Sequence, residues 1–574
     1  MSKFRTAPQN RSFWVGLVAL LFCAWALTSP EQVDARPGGG QNYRAPSRSS
    51  SSSSSSSRSY SGSSSSGSSS RSYSGSSSPS YSGSSGSYSS GSSSTVYVPS
   101  GGGGGGCGAT GWVFVFFIIA VLVFIYYTSG KGKKKEERAT IAVDNATAAK
   151  GLKALRSQDP EFDPEAFVKR TVAVVQKVNE TWLAGDMGSA RRVISDGVYV
   201  RFSTQLALLK ADGLRNVMAN WRVVSADILA AESDPQWDTV HVKVVGAARD
   251  LDVPISLTQE GINKKMSGAQ LNEYEEVWSF VRRRGKHSKK GVPALEGRCP
   301  NCGAEMPLSQ VVKCEYCQAL VNSGEHDWVL AEITQPEEWR AGAALDEIPG
   351  FDELRQRDPA VSRQELEDRA SVIFWKWIEA RTTGKVGKIA RFCVYPPADS
   401  TSAAALGIGT SGGKIRQVAV GSAELKVAAA AGGPEEMDNA IVEIRWSASM
   451  DGADSAFHIH KFTLARQGTA QSKRGMSSLD CPVCGGQLAA SDAVTCSYCG
   501  ATLSGGKHEW ALIAVDQGEL PPDENGGGGD ADGDGPSYEL STPGQKALGA
   551  LGIGLAVAGV VADVVANSGD SDDD

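Results

Sequence analysis

Two stretches of the chain share one cysteine pattern, CPNCGAEMPLSQVVKCEYC at residues 299–317 and CPVCGGQLAASDAVTCSYC at residues 481–499. A Cys-x-x-Cys turn presents two thiolates together, and two such turns make the tetrahedral four-sulfur shell that structural zinc prefers. The spacing therefore predicts two structural Zn²⁺ sites in two small zinc ribbons. The predicted ligands are Cys299, Cys302, Cys314 and Cys317 in the first ribbon and Cys481, Cys484, Cys496 and Cys499 in the second.

Redox chemistry and a disulfide framework are the alternative readings of these cysteines. A redox site needs only one Cys-x-x-Cys pair, and disulfides belong to oxidising compartments. Four thiolates also leave zinc no open position for a reactive water. We therefore expect the two metal ions to hold structure and not to perform hydrolysis.

The repeat extends beyond the cysteines. His326 and His508 each lie nine residues after the last cysteine of their stretch, and Trp328 and Trp510 each lie eleven after it. Because four thiolates already satisfy zinc, we expect this aromatic strand to pack against its ribbon instead of supplying a fifth ligand. The two stretches begin 182 residues apart. That period suits a duplicated module of domain plus ribbon.

The amino-terminal part of the 574-residue chain has a different composition. Residues 1–35 hold basic residues, an apolar run and a small residue before Arg36, which is the layout of a signal peptide. An uncleaved signal anchor is the alternative. Residues 36–110 are rich in Ser and Gly and cannot bury a core, so they predict a disordered exported segment.

Residues 111–128 are uncharged and have the length of one bilayer crossing, so they predict a transmembrane helix. Lysines follow at once, and the positive-inside rule then places the later domains in the cytoplasm and the Ser-rich segment outside. A reducing cytoplasm agrees with thiolates kept for zinc.

The carboxyl-terminal part predicts two further segments. Residues 518–545 form an acidic Gly-rich linker, and residues 546–567 form an apolar helix with a small residue every fourth position. Small residues at that step let helices approach closely in lipid, whereas the charge of Asp563 would oppose insertion. The sequence leaves open whether this helix is a second membrane span or an interfacial or self-associating helix. It also leaves open whether the protein forms a homo-oligomer.

Helix and strand signals recur in the two regions between these segments. In the first, Asp163 and Pro164 mark a helix start and Gly185 its end, and residues 240–244 and 273–283 alternate as strands do. In the second, Ser362 and Gly384 bound a helix, and residues 442–446 and 460–464 alternate. Helices followed by antiparallel strands predict an α+β fold for both.

A family resemblance rests on DPEFDPEAF at 159–167, WLAGD at 182–186 and EEVWSFVR at 275–282. These motifs resemble the bacterial membrane proteins of the Tim44-like family, related to a mitochondrial inner-membrane translocase subunit. The resemblance covers residues 150–285. It is weaker over residues 352–467, where Lys385 stands at the position of Asp186.

The resemblance implies cone-shaped domains similar to nuclear transport factor two, with helices on a curved antiparallel sheet and an apolar hollow. In the mitochondrial relative such a domain associates with anionic lipid and with the translocation channel, and the resemblance to the bacterial members implies a place at a bacterial inner membrane. The expected organisation is then domain 150–285, zinc ribbon 298–335, divergent second domain 352–467 and zinc ribbon 480–517.

Several short motifs compete with this interpretation. The basic run from Arg282 to Lys290 suits nucleic acid, a solvated linker or lipid headgroups, and membrane tethering favours lipid over nucleic acid. His458 and His460 share a strand face but lack a third metal ligand. Residues 407–412 spell GxGxxG without a βαβ unit, which indicates a loop, and residues 530–541 lack the final Glu of a calcium loop.

No catalytic motif emerges from the sequence, so we predict a protein that is not an enzyme. The expected function is a membrane-anchored cytoplasmic scaffold or adaptor that binds a protein partner and anionic lipid at the inner membrane, in protein translocation or membrane assembly. The alternatives are an enzyme that uses the apolar pocket of the cone domain and a nucleic-acid-binding zinc-ribbon protein.

Overall fold

A computed structural model describes residues 43–45, 141–307, 311–342, 347–409, 414–473, 475–476, 478–488 and 493–518. The predicted signal peptide, transmembrane helix and carboxyl-terminal helix lie outside these residues, as does most of the Ser-rich segment. Among the helices that the structure describes, none has both the length and the apolar character that a bilayer crossing requires.

The first module, residues 145–334, holds four α-helices and four strands among its described residues. Its helices are α1 (Asn145–Gln158), α2 (Pro164–Ala184), α3 (Asp196–Ala211) and α4 (Gln259–Gly268). Its strands are β1 (Leu214–Ser233), β2 (Trp237–Pro254), β3 (Asn272–Arg283) and β4 (Val329–Thr334). The strands form one antiparallel sheet in the order β1-β2-β3-β4.

The predicted ends of the long helix are confirmed. The Asp163 side chain accepts hydrogen bonds from the backbone N–H groups of Glu165 and Ala166, which have no partner inside the helix. At the other end Gly185 has φ of 72°, a left-handed conformation that glycine adopts without steric cost. Sequence chemistry alone therefore fixes the extent of α2.

The core of the first module lies between its helices and one face of the sheet. Val178 and Trp182 of α2 face Val242, Trp278 and Phe280, and all five side chains are buried. Alternation along β2 and β3 sends every second residue to this face, as the sequence pattern predicted. The hollow that the family resemblance implies is filled here by large side chains.

The second module, residues 351–517, repeats the plan. Its helices are α5 (Phe351–Arg357), α6 (Arg363–Thr383), α7 (Gly387–Ala390) and α8 (Ser400–Ala405). Its strands are β5 (Ile415–Ala429), β6 (Met437–Met450), β7 (Ala456–Gln467) and β8 (Ala511–Gln517), in the antiparallel order β5-β6-β7-β8. The α+β prediction is thus confirmed for both modules.

Each cysteine stretch lies between the third and fourth strands of its sheet. β4 follows Cys317 and pairs with β3, and β8 follows Cys499 and pairs with β7. The prediction that the aromatic strand packs against its ribbon is therefore wrong. Trp328, just before β4, lies 5.1 Å from the Phe167 ring in the module core. The fourth strand belongs to the sheet because its apolar residues complete that core.

Each module contains a buried network of one arginine and two aspartates. Arg282 donates to Asp159 at 2.8 Å and pairs with Asp238 at 3.4 Å, and its guanidinium lies 4.3 Å from the centre of the Trp328 ring. In the second module Arg466 pairs with Asp358 at 2.9 Å and Asp438 at 3.1 Å, over the ring of Trp510. The same arrangement at equivalent positions supports duplication of one ancestral unit.

Candidate metal centres and the cavity between the modules

The structure brings the eight predicted ligand residues together in two groups of four. In the first group the Cys299 and Cys317 sulfurs lie 3.7 Å apart and the Cys302 and Cys314 sulfurs 3.8 Å apart. In the second group the corresponding pairs lie at 3.7 and 3.8 Å. All four sulfur atoms of each group lie within 4.8 Å of one another.

These sulfur–sulfur distances fit a metal ion coordinated tetrahedrally by the four thiolates. Four sulfurs about 2.3 Å from a central zinc are about 3.8 Å from each other, as simple tetrahedral geometry requires. A disulfide would instead bring two sulfurs to about 2.05 Å. The nine cysteines that the structure describes are all free. The two four-cysteine clusters could therefore bind metal ions, in agreement with two zinc sites.

Tight turns place the thiolates of each cluster on one side of the backbone, where their sulfur atoms meet. Gly303 and Gly485 follow the first Cys-x-x-Cys of their clusters with φ of 76° and 66°, and each donates its N–H to the carbonyl of the first cysteine at 2.8 Å. Backbone N–H groups also point at sulfur, from Asn301 to Cys299 and from Tyr498 to Cys496, both at 3.4 Å. Such N–H donors stabilise thiolate charge around a metal.

The first cluster is fastened to the first module by one buried arginine. The Arg192 guanidinium donates to the carbonyl oxygens of Val311, at 3.1 Å, and Pro307. Arg391 and Arg369 do the same in the second module, donating to the Ser478 carbonyl at 3.0 and 3.1 Å. Each cluster is therefore held rigidly against the helices of its own module.

The second cluster is also held by the first module. Asp196, at the start of α3 and 1 % exposed, accepts hydrogen bonds from the backbone N–H groups of Ser478 and Leu479, both at 2.9 Å. The Lys313 amine of the first cluster donates to the Gly485 carbonyl of the second at 3.3 Å. These contacts make the two modules and both clusters one connected body.

The histidines that the sequence singled out take no part in the clusters. His326 is half-buried, and burial lowers its pKa. His460 accepts a hydrogen bond from the Trp446 indole at 3.0 Å, and burial with the charge of Arg381 lowers its pKa to about 4. His460 and the neighbouring His458 pack on the aromatic core of the second module and are half-buried, which agrees with partly exposed strand histidines.

The predicted basic run divides into a buried part and an exposed part. Arg282 is fully buried in the ion network, so it cannot contact nucleic acid or lipid. Arg283 pairs with Glu325 at 3.7 Å. Arg284, Lys286, Lys289 and Lys290 are exposed. An interface with lipid or nucleic acid at this place would therefore rest on this arginine and these three lysines.

The GxGxxG stretch and the acidic stretch add no site among the described residues. Gly407 follows α8 with φ of 66°, and residues 410–413 lie outside the described part. The acidic residues 530–541 lie outside it as well.

A cavity of about 110 Å³ lies between the modules. Its first wall is the face of the first sheet opposite the core, with His241, Ser279 and Glu332. Its second wall is formed by α6 and β5, with Arg363 and Glu367 among the lining residues. Register explains the first wall, because His241 pairs with Ser279 and Ser279 with Glu332 across neighbouring strands.

His241, Ser279 and Glu332 form a row across three strands, in which one hydrogen bond joins His241 and Ser279. The His241 Nδ1 and Ser279 Oγ atoms lie 2.8 Å apart, and His241 Nε2 lies 3.8 Å from Glu232 Oε2. Glu332 accepts the backbone N–H of Ala423, in the second module, at 3.2 Å. Burial together with the carboxylates of Glu367 and Glu424 raises the pKa of Glu332 to about 8. Glu332 is therefore largely protonated at neutral pH.

Sequence reasoning missed this row. His241, Ser279 and Glu332 belong to three strands, and their alignment depends on the register of the sheet. Alternation along β2 and β3 did place His241 and Ser279 on the face away from the core. The covering of that face by a second module leaves no local signal in the sequence.

One comparison with known protein families matches part of the first module. The family model described as Tim44-like domain matches residues 148–291. This stretch is therefore similar to Tim44-like domains. The match ends before the first cysteine cluster and does not include the second module.

Among solved structures, the chain is similar to one titled "Ntf2 like protein involved in plasmid conjugation". The two share 11 % sequence identity with a TM-score of 0.11, over 49 % of this chain and 88 % of the other. A likeness this weak carries no argument about function. No curated protein matches the chain.

Proposed function

We propose that the protein is a membrane-associated adaptor that presents two zinc-stabilised clusters to a protein partner. A Tim44-like domain fits a membrane-associated translocation or adaptor role in general terms. The observation that carries the proposal is the fastening of both clusters to one body by Asp196, Arg192 and Arg391. A rigid body that holds two clusters in fixed positions suits partner binding, since little conformational freedom is lost on association.

The partner surface is proposed to include an aromatic side chain of each cluster. Tyr316 and Tyr498 lie beside the fourth cysteine of their clusters and are 75 % and 67 % exposed. Val483, on the first turn of the second cluster, is 52 % exposed. Exposed tyrosines with apolar neighbours are common at the centres of protein interfaces.

The test is site-specific photo-crosslinking of the full chain in its own membranes. A photoreactive phenylalanine analogue is placed at Tyr316, at Tyr498 or at Tyr395, a control position on the second module that is 42 % exposed. The proposal expects the same partner band from Tyr316 and Tyr498 and not from Tyr395. Equal bands from all three positions, or no band from any, would contradict it.

We propose that the protein lies at a bacterial inner membrane with both modules on the cytoplasmic side. The support is the uncharged stretch 111–128 and the lysines that follow it. Anionic lipid contact through Lys286, Lys289 and Lys290 is part of this proposal. Replacing all three by Glu is expected to reduce flotation of the solubilised chain with phosphatidylglycerol vesicles. Unchanged flotation would exclude these lysines as the lipid contact.

Hydrolysis in the cavity between the modules is a second candidate function. The 2.8 Å contact between His241 and Ser279 favours it, because a histidine at that distance can activate a serine hydroxyl. Against it, Ser279 is 4 % exposed and the cavity has room for only a few water molecules. The candidate requires ester hydrolysis by the full chain that Ser279→Ala abolishes. Activity that survives this change would exclude Ser279 as the nucleophile.

A further inference from the structure

Residues 43–45 lie against the second module, although several hundred residues separate them from their contacts in the sequence. The Tyr43 side chain is 7 % exposed, as buried as many core residues. Its ring meets Phe457 edge-on, with ring centres 6.2 Å apart and an interplanar angle of 82°. Aromatic pairs prefer this geometry because the positive edge of one ring faces the negative face of the other.

The Tyr43 hydroxyl has a fixed acceptor. It donates to Glu338 Oε1 at 2.5 Å, and the other Glu338 oxygen accepts from Arg445 at 2.9 Å. Burial, with the charge of Glu338 next to it, raises the pKa of Tyr43 above its ordinary value, so the hydroxyl keeps the proton that it donates. A hydrogen bond to a charged and immobilised acceptor distinguishes tyrosine from phenylalanine.

The backbone beneath the Tyr43 ring has room only for a glycine, Gly421. A Cβ atom at Gly421 would lie 2.4 Å from the Tyr43 ring, a distance that real contacts do not reach. The Gly421 carbonyl accepts the N–H of Gln335 at 2.9 Å and so anchors the segment that carries Glu338. The backbone beside Tyr43 is held too, because the Arg44 N–H donates to Ser447 Oγ at 3.1 Å.

The first module lacks the site. β1 and β5 have irregular pairing at matching places, and Val224 occupies the position that Gly421 takes in β5. When β2 is aligned on β6 through Asp238 and Asp438, Val245 and Ala247 stand where Arg445 and Ser447 stand in β6. Val224 is 48 % exposed, so none of the residues that the structure describes covers it as Tyr43 covers Gly421. The site is therefore a feature of the second module and not of the repeated fold.

We propose that Gly421, Phe457, Glu338, Arg445 and Ser447 form a recognition site, the tyrosine socket, whose ligand is the segment around Tyr43 of the same chain. The socket selects a tyrosine by its ring and hydroxyl together and fixes the next residue through a backbone hydrogen bond. The 95 residues between positions 45 and 141 are ample for the chain to return to the socket.

Occupancy of the socket has a consequence for membrane topology. A chain that crosses the bilayer at residues 111–128 carries Tyr43 and the modules on opposite sides. Binding within one chain therefore belongs to chains that have not made this crossing, and the socket of an inserted chain is free for another tyrosine.

Peptide binding to the full chain in detergent tests the socket directly, because detergent removes the barrier between the two sides. A fluorescent peptide of residues 36–50 is titrated against the wild-type chain and against Tyr43→Ala, with binding followed by anisotropy. Wild-type chains already hold their own ligand, so the peptide is expected to bind Tyr43→Ala about tenfold more tightly. A peptide with phenylalanine for Tyr43 is expected to bind about tenfold more weakly, since Glu338 loses its donor.

Matched variants separate the socket from nonspecific binding. In the Tyr43→Ala background, Gly421→Val and Phe457→Ala are expected to abolish binding, and Val224→Ala in the first module is expected to leave it unchanged. Equal affinity for wild type and Tyr43→Ala would overturn the proposal. So would equal binding of the Arg-Ser-Tyr-Ser-Gly repeat peptide of residues 71–75, because the ligand would then be any exposed tyrosine.

Discussion

The two modules share an architecture and differ in what lies on the outer faces of their sheets. In the first module the outer row reads His241, Ser279 and Glu332, and the second module covers it. The matching row of the second module reads Ile441, Thr463 and Ala514. Duplication therefore kept the core, the ion network and the four-cysteine cluster, while the outer faces diverged.

This difference separates structural residues from specialised ones. The Asp–Arg–Asp network and the cysteines recur because each module needs them to fold. The cavity row occurs only in the first module and the tyrosine socket only in the second. Residues present in one copy alone are accordingly candidates for roles that the duplicated clusters do not supply.

Loss of one cysteine cluster is expected to have the largest effect. Cys314→Ser and Cys496→Ser each remove one buried ligand, and structural zinc supplies on the order of 10 kcal/mol to a small metal-stabilised fold. Amide hydrogen exchange is expected to show lost protection around the altered cluster, while the other cluster stays protected. Loss of protection at both clusters from either change would contradict their independence as metal centres.

Breaking the ion network is expected to destabilise both modules alike. Arg282→Leu leaves Asp159 and Asp238 without their shared arginine. After Arg466→Leu, Asp358 loses its arginine, whereas Asp438 keeps an ion pair with Arg357. Breaking buried ion pairs of this kind costs about 3–5 kcal/mol. Denaturant unfolding of each variant measures the change, with Arg215→Leu, an exposed position in β1, as the control. A large loss for one arginine and none for the other would show that the duplicated network does not have the same role in both modules.

Glu332 is expected to make stability depend on pH. The pKa of Glu332 is raised from 4.5 to about 8 in the folded chain, so the unfolded chain binds fewer protons between these values. The free energy of unfolding therefore falls as pH rises from about 5 to 8. Glu332→Gln is expected to reduce this decrease in the free energy of unfolding by on the order of 1 kcal/mol.

Unfolding in denaturant at pH 5 and pH 8 measures the effect, with Glu260→Gln on the exposed face of α4 as the control. A wild-type chain that gains stability over this range relative to Glu332→Gln would contradict the assignment. The matching residue in the second module is Ala514, so this dependence belongs to the cavity of the first.

The smallest expected effect is a change in stability at one matching position of the two sheets, Gly421 in β5 and Val224 in β1. Gly421→Ala displaces Tyr43 and is expected to cost about 1 kcal/mol, whereas Val224→Ala is expected to stay within about 0.5 kcal/mol. Thermal unfolding measures both. In a Tyr43→Ala background the cost of Gly421→Ala is expected to vanish, because the two changes remove the same contact. Additive costs would show that Gly421 and Tyr43 are not coupled.

The sequence predicted those features that depend on local chemistry. Asp163 and Gly185 bound α2 where their capping preferences place them, and the cysteine spacing predicted which eight sulfurs meet. It misplaced Trp328 and Trp510, because only the sheet shows that the strand after each cluster pairs with β3 or β7. It also assigned Arg282 to an exposed run, since a buried arginine needs Asp159 and Asp238, which are distant in sequence. The cavity and the tyrosine socket depend on contacts between distant segments.

The central claim is that each module carries one metal ion in its four-cysteine cluster, and metal analysis of the purified full chain tests it most directly. Inductively coupled plasma mass spectrometry is expected to find two zinc ions per wild-type chain and one in either Cys314→Ser or Cys496→Ser. A wild-type chain without bound metal, or one whose zinc content is unchanged by both substitutions, would contradict the account.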